Sequence, residues 1–225
     1  CHKTDIPLAD WEGLAHEVLS NLSACDEINY FICVQSKPMT KAEARRYHLD
    51  LRKQLTPSQM QKKQEALMKN IKLFDLSQVE LVHLFLSIQK QKEPNTKALV
   101  DLLFGMGKKV VVPQTDFATK QMTHWEIFPE ISLQPNTYGI PEPKGGIPTK
   151  PSVIDLVFVP LLGYDCKGER VGYGKGFYDR FLNRCSPKTV FVGLSYFLPC
   201  PEITDFEPTD IRLHSCIHSE GIIEF

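Results

Sequence analysis

The feature that most constrains the fold is a fixed order of three segments between residues 153 and 185: an apolar strand, a glycine-rich stretch and a helix. The strand segment, "VIDLVFVPLLGYD", is almost continuously apolar, which is typical of a parallel strand buried on both faces. The helix segment, "GFYDRFLNRC", follows the glycines directly. Parallel strands need long crossover connections, usually helices, so this order predicts an α/β protein.

The other segments continue this alternation of helices and strands. One apolar helix face is predicted in "TKAEARRYHLDLRKQL", formed by Ala44, Tyr47, Leu51 and Leu55. Further helices are predicted at "TPSQMQKKQEALMKNIKLF" and "NTKALVDLLFGMGKK", and strands at "VELVHLFLSI", "KVVVPQ" and "TVFVGLSY", with shorter ones near "DIRLHSCI" and "GIIEF". Residues 114–151 are rich in turn-forming residues. The alternation predicts one domain around a largely parallel sheet.

The first 38 residues differ from the rest of the chain. They hold two lysines against six acidic residues, and three of the seven cysteines. The segment "KPMTKAEARRY" that follows resembles a natural amino terminus. We therefore expect residues 1–38 to be an N-terminal extension, peripheral to function, and residues 39–225 to form the functional domain.

Composition and charge exclude several classes of protein. The formal net charge is −1, so no strongly basic surface for nucleic acid is expected. No apolar run approaches the length of about 18 residues that a membrane span requires, and no secretory signal pattern is visible. The seven cysteines are widely spaced and form no C-x-x-C pair. We expect reduced thiols in a cytoplasmic, monomeric protein without nucleic-acid or membrane partners.

The glycine-rich stretch reads "PLLGYDCKGERVGYGKGFYDRF" and spans residues 160–181. Four of its glycines are closely spaced, namely Gly168, Gly172, Gly174 and Gly176, and two cations, Arg170 and Lys175, lie between them. Such a turn after a strand exposes backbone N–H groups, and with two cations it is suited to a polyphosphate. It is not a Walker loop, because Lys175 is followed by glycine, nor a Rossmann loop, because position 177 is Phe. The alternative interpretation is a tight loop with a structural role only.

Asp179 lies in the first turn of the helix predicted after the glycines. An acidic residue in that position often only compensates the helix dipole. Beside a polyphosphate it also has the chemistry of a Mg²⁺ ligand, since Mg²⁺ is usually held by one or two carboxylates together with phosphate oxygens. Spacing alone leaves both roles open.

The stretch "PLLGYDCKGERVGYGKGFYDRFL" closely resembles the signature of the 5-formyltetrahydrofolate cyclo-ligase family, and the resemblance extends from about Met39 to Phe225. The resemblance implies a three-layer α/β/α Rossmann-like sandwich with a mainly parallel sheet. It also implies an enzyme that uses ATP and Mg²⁺ to convert the folate substrate 5-formyltetrahydrofolate into 5,10-methenyltetrahydrofolate. In this family the formyl oxygen is phosphorylated to an iminophosphate, nitrogen 10 closes the ring, and phosphate leaves.

The resemblance also assigns roles to individual positions. ATP binding is expected of Lys41, Arg45, Arg170, Gly172, Gly174, Lys175, Gly176 and Tyr178. Substrate binding is expected of Arg45, Leu86, Glu93, Tyr138, Tyr173, Lys175 and Phe177. Lys175 and Arg170 are the expected catalytic residues, and Asp179 and Asp210 the expected Mg²⁺ ligands. The family often has a further Asp a few residues after the second ligand, where this sequence has His214.

Two rival functions are left open by the fold and the glycine stretch. A sugar-phosphate isomerase could have the same fold, and its cations would bind a monophosphate without any need for ATP. A non-catalytic relative could bind nucleotide or RNA without turning over folate. The retention of Lys175, Asp179 and Asp210 together favours the enzyme.

Overall fold

A large central sheet organises the computed structural model, which describes residues 37–137 and 139–225. The strands are β1 (Leu81–Leu84), β2 (Lys109–Asp116), β3 (Gln121–Ile127), β4 (Leu133–Pro135), β5 (Pro141–Pro143), β6 (Ile147–Pro148), β7 (Leu156–Pro160), β8 (Gly163–Tyr164), β9 (Arg170–Val171), β10 (Val190–Leu194), β11 (Ser215–His218) and β12 (Gly221–Glu224). The α-helices are α1 (Lys41–Gln54), α2 (Pro57–Ile71), α3 (Lys97–Gly105) and α4 (Phe177–Leu182), with short 3₁₀ turns at Gln89–Gln91 and Pro151–Val153.

The sheet is parallel at its centre and antiparallel at its edges. Its order is β12-β11-β10-β7-β1-β2-β3-β6, and the five strands from β11 to β2 are mutually parallel. Strands β12, β3 and β6 join antiparallel to their neighbours. Two small antiparallel pairs, β4–β5 and β8–β9, lie outside this sheet. The expectation of a mainly parallel α/β sheet is confirmed.

Side chains of the central strands alternate between two buried layers. Val82 and Phe158 belong to the apolar cluster that also contains residues of α2 and α3, such as Leu67. Val111 and Val157 belong to a second cluster, with residues of α4. Because successive strand residues point to opposite faces, both faces of the sheet are covered by helix, which produces the three-layer arrangement.

The two amino-terminal helices begin at the signals that the sequence predicts. Thr40 and Glu43 form a reciprocal capping box at the start of α1, and Thr56 and Gln59 form another at the start of α2. Pro57 occupies the first helical position of α2, where it loses no hydrogen bond. Within the described residues, no helix is both long and apolar enough to cross a bilayer.

Helix α1 buries a different face from the one that its apolar residues predict. Tyr47 is 49% exposed, whereas the buried residues include His48 and Arg52. The prediction of an apolar face through Tyr47 and Leu51 is therefore wrong in part. The reason is that α1 packs on the β8–β9 hairpin, and its buried positions carry the small Ala44 together with His48 and Arg52 instead of large apolar side chains.

Two further expectations need correction. Residues 114–151 are not only turns, since β2 continues to Asp116 and pairs with the seven-residue strand β3. The thiols are not all reduced, because Cys166 is disulfide-bonded, while Cys185, Cys200 and Cys216 are free.

A close contact between Gly163 and His48 fixes α1 on the rest of the domain. His48 is fully buried and its Nδ1 lies 2.9 Å from the Ala44 carbonyl oxygen. A Cβ atom placed on Gly163 would lie 2.1 Å from the imidazole ring. Burial lowers the pKa of His48 to about 4, so the ring packs as a neutral group. Only glycine allows this approach of the β8 backbone to the helix.

Gly163→Ala is therefore expected to destabilise the domain by about 1–3 kcal/mol through overpacking. The matched control is Gly105→Ala, where an added Cβ meets nothing within 4 Å. Thermal unfolding of the two variants checks this expectation. Equal melting temperatures for both would contradict the role assigned to the Gly163–His48 contact.

Candidate active site

One cavity of about 440 Å³ opens at the carboxyl ends of the central strands β1, β2 and β7. Helix α1, the segments after β1 and β7, the β2–β3 hairpin and the glycine-rich stretch all contribute to its wall. Ligands of parallel α/β sheets bind in this position, because the connections that leave the strands form a crevice there.

The cavity brings together every predicted site residue that the structure describes. Its lining includes Lys41, Arg45, Leu86, Glu93, Arg170, Gly172, Tyr173, Gly174, Lys175, Gly176, Phe177, Tyr178, Asp179 and Asp210. Tyr138 lies outside the described residues. These positions are separated by up to 169 residues in sequence, so their convergence is a property of the fold. The ligand that each one contacts stays a prediction.

The glycine loop forms one side of the cavity and is held by α1. Gly174 and Gly176 have φ values of 76° and 66°, in the left-handed region that favours glycine, and Gly176 immediately precedes α4. Arg45 donates a hydrogen bond from Nε to the Gly172 carbonyl oxygen at 2.9 Å. The loop is therefore compact, and the Arg45 guanidinium lies beside its backbone.

Each predicted metal-binding carboxylate is paired with a cation. Arg170 Nη2 lies 2.6 Å from Asp179 Oδ1, and Lys41 Nζ forms an ion pair with Asp210 Oδ2. The Arg170 side chain is only 6% exposed, and its buried Nε has no hydrogen-bond partner among the described residues. Partial burial raises the pKa of Asp210, but the Glu207 N–H group and the Lys41 and Arg170 cations outweigh burial and lower it overall.

Lys175 differs from the other cations of the cavity. Its side chain is exposed and belongs to the lining of the cavity. Within residues 37–137 and 139–225 its ammonium group has no ion pair or hydrogen bond. An exposed ammonium group on a glycine loop can bind a phosphoryl group without first breaking a protein contact.

The opposite side of the cavity is apolar and surrounds one buried carboxylate. Phe85 and Leu86 contribute to the apolar wall, and Glu93 is 7% exposed. Glu93 Oε2 accepts a hydrogen bond from the Ile88 N–H group at 2.8 Å, and Oε1 accepts one from the Tyr173 hydroxyl at 2.9 Å. Burial raises the pKa of Glu93, and these two hydrogen bonds together with a nearby arginine partly oppose the rise. This half is suited to a flat heteroaromatic ring with a hydrogen-bond-donating edge.

Sequence reasoning missed Arg52, which is the arginine near Glu93. Arg52 is 4% exposed and donates from Nη2 to the Leu161 carbonyl oxygen at 2.6 Å. It also donates from Nη1 to the Gln91 carbonyl oxygen and to the Tyr173 hydroxyl, both at 3.3 Å. Arg52 thus joins α1, two segments beside the cavity and the glycine loop.

A signal for Arg52 was present in the sequence. Lys41, Arg45, His48 and Arg52 are spaced by four, three and four residues, so they share one face of α1. A polar face of that kind usually contacts solvent, and basic residues in a last turn usually complement the helix dipole. The predicted roles of Lys41 and Arg45 were the only hint that this face points inward.

Sequence reasoning also missed part of the apolar wall. Phe117 and Met122, near the β2–β3 turn, and Ile140 line the cavity. The Phe117 ring meets the Phe177 ring edge-on, with centroids 5.5 Å apart. These residues belong to the turn-rich region, where alternation in "QMTHWEI" was the available sign of a strand.

His214, the position at which the sequence departs from the resemblance, lies away from the cavity lining. Its side chain is exposed, and Nδ1 accepts a hydrogen bond from the Phe191 N–H group at 2.9 Å. The Phe225 N–H group donates to the His214 carbonyl oxygen at 3.0 Å. In this chain the position therefore stabilises the junction of β10 with the carboxyl-terminal segment.

Comparisons with known proteins agree with this architecture. The model of the 5-formyltetrahydrofolate cyclo-ligase family matches residues 37–214. The 5-formyltetrahydrofolate cyclo-ligase of Haemophilus influenzae is 30% identical over 184 residues, which are 78% of this chain and 92% of that protein. The one from Escherichia coli K12 is 30% identical over 179 residues, 77% of this chain and 97% of the relative.

Solved structures give the same result. The 5,10-methenyltetrahydrofolate synthetase of Aquifex aeolicus superposes with a TM-score of 0.70 at 26% identity, covering 83% of this chain and 93% of that one. The Mycoplasma pneumoniae synthetase, at 19% identity and a TM-score of 0.63, covers 80% of this chain and 98% of that one, and supports the fold. The resemblance of the glycine signature is thus confirmed, and the chain belongs to the 5-formyltetrahydrofolate cyclo-ligase family.

Proposed function

We propose that this protein catalyses the ATP-dependent cyclisation of 5-formyltetrahydrofolate to 5,10-methenyltetrahydrofolate, with release of ADP and phosphate. The observation that carries the proposal is the division of one cavity into two halves. One half combines a glycine loop with four cations, and the other combines an apolar wall with a buried carboxylate. Membership of the cyclo-ligase family supports the same activity.

The proposed reaction begins with activation of the formyl group. The formyl oxygen attacks the γ-phosphorus of ATP, the bond from that phosphorus to the bridging oxygen breaks, and ADP leaves. This step is needed because an amide oxygen is a poor leaving group until it is phosphorylated. Nitrogen 10 of the folate then attacks the formyl carbon, the carbon–oxygen bond to phosphate breaks, and nitrogen 10 loses its proton. The phosphorylated formyl group is the iminophosphate intermediate.

The protein's part in this reaction is positioning and charge neutralisation, which dominate phosphoryl transfer. Lys175 is proposed to neutralise the transferred phosphoryl group, and Arg170 to assist from the base of the loop. Lys41, Arg45, Tyr178 and the N–H groups at Gly172, Gly174 and Gly176 surround the rest of the triphosphate.

The folate is proposed to occupy the apolar half. Leu86, Phe177 and Tyr138 would contact the pterin and its neighbouring ring, and Tyr173 would contact the substrate from the glycine loop. Glu93 would accept hydrogen bonds from the donor edge of the pterin. A carboxylate buried to 7% exposure is costly unless its lone pairs are satisfied, and a donor-rich ligand edge satisfies them.

Mg²⁺ fits this site together with ATP. In the described part of the chain no three metal-binding side chains converge, so Asp179 and Asp210 would hold Mg²⁺ together with phosphate oxygens and water. Both carboxylates line the cavity, and each is balanced by a cation here. When bound, Mg²⁺ would neutralise phosphate charge. Arg170 and Lys41, freed from their carboxylates, would then bind phosphate oxygens.

The rival functions fit the cavity less well. A sugar phosphate is polar throughout and would leave the wall of Phe85, Leu86, Phe117 and Met122 without an apolar partner. An RNA-binding relative has no need for a buried carboxylate opposite a phosphate loop. Formation of methenyltetrahydrofolate, followed by its absorbance and dependent on added ATP, distinguishes the cyclo-ligase from both rivals.

Lys175→Ala is expected to lower kcat by about 100-fold or more, because removal of one transition-state charge partner typically costs that much. The matched control is Lys188→Ala, an exposed lysine on the loop before β10, at the opposite end of the strands. The assay is the formation of methenyltetrahydrofolate under saturating ATP and 5-formyltetrahydrofolate. Equal rates for the two variants would remove Lys175 from the proposed mechanism.

Asp179→Asn and Asp210→Asn are each expected to raise the Mg²⁺ concentration needed for tight ATP binding by about tenfold or more, because an anionic ligand is lost. Calorimetric titration of ATP at a series of Mg²⁺ concentrations measures the effect without turnover. Asp101→Asn, on the exposed surface of α3, is the control. Unchanged Mg²⁺ dependence in both active-site variants would refute the metal assignment.

A further inference from the structure

Among residues 37–137 and 139–225, Arg52 is the one buried cation beside the cavity that the proposed chemistry does not use. It is 4% exposed, and its Nε has no hydrogen-bond partner within the described residues. A buried guanidinium group is costly unless it is paired or its donors are satisfied. Its retention in the interior therefore calls for a structural or functional explanation.

The contacts of Arg52 all lead to segments that surround the cavity. Nη2 donates to the carbonyl oxygen of Leu161, just after β7, and Nη1 donates to that of Gln91, just before Glu93. Nη1 also donates to the hydroxyl of Tyr173 in the glycine loop. One planar side chain thus holds the folate side and the nucleotide side of the cavity together.

Tyr173 forms the link between Arg52 and Glu93. Its hydroxyl accepts a hydrogen bond from Arg52 and donates one to Glu93 Oε1 at 2.9 Å. Both ends of this link are ionisable and shielded from water, so each hydrogen bond is charge-assisted. Yet the Tyr173 residue as a whole is 42% exposed. Its position therefore depends on the hydroxyl contacts more than on packing.

Glu93 has unused capacity to accept hydrogen bonds. Each of its oxygens accepts one hydrogen bond in the structure, from Ile88 or from Tyr173, and a carboxylate offers about four acceptor sites in total. A ligand edge can therefore bind Glu93 while the Tyr173 contact persists. The ligand would then stabilise Tyr173 further and, through it, the loop that carries Lys175.

We infer that Arg52 is a positioning residue that couples the two half-sites, so that binding of the folate substrate strengthens binding of ATP through the Arg52–Tyr173–Glu93 network. The inference rests on the proposed function and adds regulation within that site. Folate bound at Glu93 orders the glycine loop at Tyr173, and ATP then binds to a loop that is already ordered. Arg52 acts through Tyr173 and touches neither ligand.

The test is calorimetric titration of a non-hydrolysable ATP analogue with Mg²⁺, with and without saturating 5-formyltetrahydrofolate. In the unaltered protein, saturating folate is expected to lower the Kd of the analogue by about fivefold or more, which is within the usual range of coupling between sites. In Tyr173→Phe and in Arg52→Met, folate is expected to lower the Kd of the analogue by less than about twofold. The control is Arg46→Met, which replaces an exposed arginine of the same helix and should leave the full effect of folate on the Kd unchanged.

The ratio of the two affinities distinguishes positioning from general damage. A structural defect would weaken binding of the analogue equally with and without folate, and would leave the ratio of the two Kd values unchanged. If Arg52→Met does not fold, as thermal unfolding would show, Tyr173→Phe decides the question, because it removes a single hydroxyl group. A ratio in Tyr173→Phe equal to that of the unaltered protein overturns the inference while leaving the proposed function intact. Failure of the unaltered protein to bind 5-formyltetrahydrofolate overturns both.

The pH dependence of folate binding provides a second readout. The charged and titratable groups that face Glu93 are Arg52 from α1, Tyr173 from the glycine loop and Tyr178 from α4. Burial raises the pKa of Glu93, and Arg52 opposes the rise. Folate affinity should fall as the pH drops through this pKa, because the protonated carboxyl accepts fewer hydrogen bonds. Because Arg52 lowers the pKa of Glu93, the fall in folate affinity should begin at a higher pH in Arg52→Met. An unshifted pH profile would contradict the inference.

Discussion

The active site depends on one contact, the approach of helix α1 to the β8–β9 hairpin across Gly163. The hairpin strands flank the start of the glycine stretch, so whatever holds α1 on the hairpin also places the helix against the phosphate-binding side of the cavity. Ala44 of α1 packs with Leu162 and Val171 of the hairpin region in a small apolar cluster. His48, packed over Gly163, fixes the distance. This cluster is separate from the two that cover the faces of the central sheet.

That arrangement explains why α1 carries cations on its buried side. A helix that packs on the face of a sheet buries apolar residues, as α2 buries Leu67 and Ile71. Helix α1 instead presents Lys41 and Arg45 to the cavity and buries Arg52 beside it, and the surrounding chain supplies acceptors for each. Two of those acceptors are backbone carbonyl groups, at Gly172 and Leu161. Such acceptors satisfy the cation without cancelling its charge, so the cavity keeps a positive potential toward an anionic ligand.

The sequence determined the architecture more fully than the site. Continuous apolar runs such as "VIDLVFVP" identified the central parallel strands, and the capping residues Thr40 and Thr56 marked the helix starts. The hairpin of β2 and β3 was missed because its turn-forming neighbours dominate the local signal. In the site, the glycine spacing and the family resemblance led to the residues around the phosphate loop. Arg52 was missed although it shares a helix face with Lys41 and Arg45, because tertiary packing decides whether a polar helix face points inward.

The same reasoning explains which site residues a local pattern can reveal. Lys175 and Asp179 lie within five residues of two glycines, so their chemistry is visible in a short stretch of sequence. Glu93 follows a 3₁₀ turn that local preferences scarcely define, and without the family resemblance only its 7% exposure would distinguish it from a surface glutamate. A charged residue without a local partner reveals its role through burial, because burial must be compensated by a partner or a ligand. For Glu93 the compensation comes from Ile88, Tyr173 and the more distant Arg52, residues up to 80 positions away in the sequence. The two halves of the cavity are therefore joined by the same contacts that allow a carboxylate to be buried between them.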